Sequence, residues 1–104
     1  IAPQFASNNL AKEFINHYDQ KSPIYVSKFL RPGFSFYSNY YGEELFFSKN
    51  NIPDIEALLT KQNQAYFVLR DIDYERIPEQ TRQKLLLVKQ VDNKFIYKYI
   101  KNGE

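Results

Sequence analysis

At 104 residues the chain can build one hydrophobic core and is too short for two, and 43% hydrophobic with 25% charged residues marks a folding chain, not a disordered one. Fourteen Lys and Arg stand against 12 Asp and Glu, for a net charge of +2. They are interleaved, with no basic stripe suited to a nucleic-acid backbone, and the lack of cysteine excludes disulfides, zinc–thiolate sites and a thiol nucleophile.

In chain order, Ser7 is placed to cap a first helix. Leu10, Phe14, Ile15 and Tyr18 recur on it at helical spacing as the apolar face, with Lys12, Glu13, Asn16 and Asp19 mostly opposite. Lys21-Ser22-Pro23 ends the helix, because the residue before a proline is biased out of the α region. Ile24 to Lys28 reads as a strand. Arg31 to Tyr41 then reads as an aromatic loop: with Phe29, the rings of Phe34, Phe36, Tyr37, Tyr40 and Tyr41 are too many for an ordinary surface turn.

Glu44 to Ser48 gives a second short strand. Pro53 suits the first turn of a helix whose dipole favours Asp54 and Glu56, with Ile55, Leu58 and Leu59 as the buried stripe. Ala65 to Arg70 is a continuous apolar run, as in a central strand covered on both faces. Asp71 to Gln83 is polar, contains Pro78, and has room for one or two helical turns. Leu85 to Val88 is a strand, and Asp92-Asn93 is a two-residue turn of residues that tolerate positive φ. Lys94 to Lys101 returns with Phe95, Tyr97 and Tyr99 on one face and Ile96, Lys98 and Ile100 on the other. Lys98 there marks an exposed edge. The order predicts an α/β fold: a small layered domain with a mixed, partly parallel sheet of about five strands, ending in a β-hairpin. Residues 1–104 form a single domain.

No catalytic motif is present. His17 is the only histidine, no serine sits in a Gly-x-Ser-x-Gly turn, and three glycines make no phosphate-cradling loop. Asp71 and Asp73, just after the central strand, have two readings: a magnesium or acid–base pair, or a cap on the following turn between Arg70 and Arg76. The segment after the first strand supplies the candidate contact residues Arg31, Ser35, Tyr37, Tyr40 and Tyr41, since an arginine beside tyrosines can stack on and hydrogen-bond to a ligand or partner. The alternative is that Phe34 and Phe36 fold inward and the tyrosines coat a short helix. No catalytic, metal-ligating or cofactor-binding residue is assigned.

The capped helix, the Pro-led strand, Arg31-Pro32 and then Ser35-Phe36-Tyr37 resemble the extracytoplasmic C-terminal domain of multi-spanning membrane glycosyltransferases. These include dolichyl-phosphate-mannose–protein mannosyltransferases and the aminoarabinose transferases that modify lipid A. Glu44 to Ser48, Pro53 to Gln62, Ala65 to Arg70 and Lys84 to Lys101 match the elements that follow there. After Tyr37, Ser38-Asn39-Tyr40-Tyr41 departs from the short Gly-containing turn often found in that family. The resemblance implies enzymes that move a sugar from a polyprenyl phosphate to a protein or glycolipid acceptor, with catalytic carboxylates in membrane loops that this chain does not contain.

It further implies a domain without cofactor, inactive alone, on the periplasmic or outer face of the cytoplasmic membrane. Its partners would be the membrane portion of the same polypeptide and the lipid-linked sugar or acceptor, with no nucleic acid. A start at Ile1 and the lack of any methionine accord with a piece of a longer protein. The alternatives are a free-standing protein- or ligand-binding α/β module and, behind it, a small hydrolase or phosphotransferase built on Asp71 and Asp73.

Overall fold

The computed structural model describes the backbone of residues 2–101 and the side chains of residues 8–101. A helix, α1 (Ala2–His17), opens the fold and buries Leu10, Ala11 and Phe14. Ile15, expected on this face, is 42% exposed, because the buried stripe runs through positions 10, 11, 14 and 18 and leaves Ile15 at its margin. The helix begins before Ser7, so Ser7 stands inside it and not at its cap; its side chain lies outside the described residues. Asp19 ends the helix earlier than Pro23 would, accepting the amides of Lys21 and Ser22, both at 2.9 Å, while Gln20 takes a φ of 67°.

Strand β1 (Ile24–Ser27) is buried throughout. The segment expected as an aromatic loop is instead a helix, α2 (Arg31–Ser38). Pro32 in its first turn is preorganised for helix, Leu30 and Phe34 provide the buried face, and Asn39 closes it in the left-handed region, its N–H donating to Ser35 O. Strand β2 (Glu43–Leu45) is shorter than expected and starts one residue earlier. In α3 (Ile55–Thr60), Asp54 is the cap, accepting from Ala57 N at 3.1 Å, so Pro53 precedes the helix. Then come β3 (Gln64–Arg70), two short helices, α4 (Asp71–Arg76) and α5 (Glu79–Arg82), and the hairpin β4 (Leu86–Val91) and β5 (Lys94–Ile100), turned at Asp92 with φ of 56°.

The five strands form one mixed sheet in the order β2-β1-β3-β5-β4. β1 is parallel to both β2 and β3, whereas β3–β5 and β5–β4 are antiparallel. Alternate residues feed two cores. Ile24, Val26, Tyr66, Val68 and Ile96 meet α1 and α2 on one face. Tyr25, Phe67, Leu69 and Tyr97 meet α3 and the α4–α5 segment on the other. Ala65 to Leu69 is buried throughout, as a strand covered on both faces requires.

Lys98 does not mark an edge: β5 lies between β3 and β4, and β4 is the edge. Its ammonium sits 5.5 Å from the Tyr66 ring centroid, so the apolar stem crosses an aromatic face while the charge stays at the rim.

Candidate functional site

Arg31 opens α2 and reaches across to the return of the chain, where its Nε donates to Gly42 O at 3.0 Å and its guanidinium lies 3.8 Å from Glu44. Gly42 is there because the backbone presses on β1. A Cβ on Gly42 would stand 2.6 Å from Val26 Cγ2 and 2.9 Å from Ile24 Cγ2. Gly42→Ala is therefore expected to destabilise the domain by about 1–3 kcal/mol through overpacking, and a urea midpoint indistinguishable from the parent would contradict this.

The other candidates diverge. Ser35 has a buried Oγ without a hydrogen-bond partner among the described residues, and its carbonyl accepts from Asn39 N at 3.0 Å. Tyr37 is half-buried with its ring edge-on to Phe36. Tyr40 turns toward the core, edge-on to Tyr18 at 4.9 Å, and Tyr41 points outward, 77% exposed. Phe34 folds inward as expected of a short helix, while Phe36 is 78% exposed. Arg31 thus meets the backbone beside Tyr41, and Ser35 and Tyr40 belong to the packing beneath.

A second group gathers at the carboxyl ends of the parallel strands. Arg70, the last residue of β3, directs Nε and Nη2 at the two carboxylate oxygens of Asp73, at 2.8 and 2.9 Å. Asp73 is 1% exposed and also has Arg76 at 4.0 Å. Phe29, 60% exposed just beyond β1, lies under the Arg70 guanidinium, 4.5 Å from ring centroid to Cζ. Lys28 covers Phe46 at 4.8 Å. Ser27 ends β1 fully buried, and its Oγ has no partner among the described residues.

The two acids that sequence reasoning paired do not act together. Asp73 belongs to the arginines, and Asp71 accepts its neighbouring amide, Ile72 N, at 2.7 Å. Among the described residues no group of three or more His, Asp or Glu is arranged to hold a metal. Sequence reasoning missed Arg70 as the centre of this group; an arginine closing an apolar run with an aspartate three residues on was the available signal.

Elsewhere, Glu56 joins α3 to α5, accepting from Thr81 Oγ1 at 2.8 Å and pairing with Lys84. Hydrogen bonds from Lys84 and Thr81 hold its carboxyl below the usual range. Asp19 is also lowered: burial opposes ionisation there, but bonds from Ser22 and Lys21 outweigh it. A depressed carboxylate adds stability above its unfolded pKa and loses it as pH falls through its folded one. The urea midpoint is therefore expected to fall as pH drops below the ordinary carboxylate range, and less so in Glu56→Gln. Equal acid sensitivity in parent and variant would contradict this.

Burial, followed by its contact with Tyr74, pushes the Tyr97 hydroxyl up. Among the described residues, clefts of about 490, 300 and 220 Å³ lie at the start of β4, beside α3 and beside α5. None is lined by the five predicted residues. No helix among the described residues is long and apolar enough to cross a membrane. Comparison with protein-family models, with curated proteins and with solved structures finds no match to this chain.

Proposed function

We propose that this chain is the non-catalytic extracytoplasmic domain of a membrane glycosyltransferase that takes its sugar from a polyprenyl phosphate and passes it to a protein or glycolipid. Its role is to stabilise the membrane part or shape access for the acceptor. The observation that carries this reading is the order of elements along the chain. Helix, first strand, the Ser35-Phe36-Tyr37 segment, short strand, helix, strand ending at Arg70 and closing hairpin follow as the resemblance requires. Two features add support. Of the acid pair that acid–base chemistry would use, Asp73 is engaged in a structural contact with Arg70. Apolar side chains also remain outside, Phe36 and Tyr41 among them, as on a surface that a partner covers.

The test is sugar transfer by membranes carrying the parent protein. Loss of the domain is expected to lower transfer, and the 104-residue chain alone is expected to give none. Arg31→Ala in the parent is expected to slow transfer without lowering folded yield, since losing one hydrogen bond to Gly42 O costs only about 0.5–1.5 kcal/mol. Equal transfer in variant and parent removes Arg31 from the site. Turnover by the isolated chain that Asp71→Asn abolishes would replace this reading with an enzyme. A free-standing binding module is the second reading. It is favoured by the open edge β4, where Leu86 and Leu87 are 56% and 55% exposed.

A further inference from the structure

We propose that the face of the domain carrying α1 and α2 lies on an anionic lipid bilayer, with α2 seated at headgroup depth. Helix α2 is apolar on two sides. Leu30, Phe34 and Ser38, four residues apart, are buried, whereas Pro32 and Phe36, on the row between them, face outward. Phe36 is 78% exposed, Tyr37 meets it edge-on, and Tyr41 just beyond the helix is 77% exposed. From Pro32 to Gly42 no residue is charged. A surface helix ordinarily turns charge to water, and one that is apolar all round is covered all round.

Charge says what covers it. On the same face stand Lys12 on α1, Lys28 and Arg31 at the start of α2, and Lys89 and Lys98, which the ladder sets opposite Ile96 and Tyr66. The acids there are engaged: Glu13 lies 3.9 Å from His17, Asp19 takes the amides of Lys21 and Ser22, and Glu44 faces Arg31. Lys12 and Lys89 are exposed, with no acid at pairing distance among the described residues. The opposite face instead exposes Asp54, Glu75 and Glu79, and its Arg76 and Lys84 are already paired with Asp73 and Glu56. This asymmetry turns the α1–α2 face toward a negative surface.

The shape favours lipid over a folded partner. The rings stand on the convex side of a helix, and none of the clefts described above borders α2. Aromatic rings with long cationic side chains around them suit a fluid interface, where the rings enter the headgroup layer and the lysine stems reach lipid phosphates.

This goes beyond the accessory-domain reading by naming what meets the exposed rings. It is tested on the 104-residue chain without sugar transfer, so either reading can fail alone. Sedimentation is measured with phosphatidylcholine vesicles, with and without phosphatidylglycerol. Binding is expected only with phosphatidylglycerol and is expected to weaken as salt is raised. Phe36→Ser is expected to lower the partition coefficient about tenfold with an unchanged Tm, as is Lys12→Gln with Lys89→Gln. Lys61→Gln, on the opposite face, is expected to bind as the parent does. The chain has no tryptophan, so Phe36→Trp places a single reporter on α2, and its emission is expected to shift to the blue on these vesicles. The proposal is overturned by no sedimentation with phosphatidylglycerol, by equal binding of Phe36→Ser and parent, or by unshifted emission from bound Phe36→Trp. Self-association that depends on Phe36, without vesicle binding, would overturn it in favour of a second copy of the chain. Should Phe36→Ser misfold, the emission of Phe36→Trp decides.

Discussion

Phe14→Ala is expected to destabilise the domain by about 3–5 kcal/mol, the largest effect of any single truncation considered. Phe14 is 0% exposed and holds four rings together: Tyr18 at 4.8 Å, Phe34 at 4.9 Å, Tyr66 at 5.7 Å and Tyr40 at 6.2 Å between centroids. These rings come from the end of α1, from α2, from β3 and from the return after α2, so the cavity would open where four segments meet. They cannot all close on it, because Tyr66 is fixed by its hydroxyl donating to His17 O at 3.1 Å and Tyr18 by donating to Ser22 O at 2.6 Å. A total stability of roughly 5–15 kcal/mol leaves the variant near the edge of folding. A urea midpoint within error of the parent, at unchanged m, would show that this cluster is not the keystone of its face.

Asp73→Ala is expected to cost about 3 kcal/mol, and Asp71→Asn less than about 0.5 kcal/mol. The contrast follows from burial. Removing the 1%-exposed Asp73 leaves Arg70, whose side chain is only 22% exposed, without its fork partner and with Arg76 nearby. Asp71 loses only a bond to its neighbouring amide. For a domain of this size, 3 kcal/mol corresponds to a drop in Tm of more than about 10 °C. Equal and small effects of both substitutions would contradict the structural role of Asp73 and return the pair to the candidates for chemistry.

Strands β1 and β3 could be read from the sequence because they are apolar runs that begin after Pro23 and Asn63, and the β4–β5 hairpin because of its Asp92-Asn93 turn; local preference there agrees with tertiary need. Helix α2 could not. Its many rings suggest a loop, yet Pro32 belongs in a first helical turn and the burial of Phe34 against Phe14 outweighs the cost of Gly33. Lys98 misled for a related reason, since a sequence does not distinguish a lysine on an open edge from one whose stem lies across Tyr66.

The location of the acids after β3 was legible, but not their separation into different partners. That separation depends on the start of α4 carrying Asp73 back beneath Arg70. Of the five predicted contact residues, Arg31 and Tyr41 meet the same stretch of surface backbone. Tyr40 was drawn into the core by Tyr18 and Phe14, contacts distant in sequence and invisible to local pattern.

The accessory-domain account is tested most directly by the reading frame upstream of Ile1 and its hydropathy. The account predicts roughly ten or more spanning segments ahead of this domain, with acidic residues in the loops between them. A start codon preceded by no such segments, or by a signal peptide alone, would contradict it and leave a free-standing binding module.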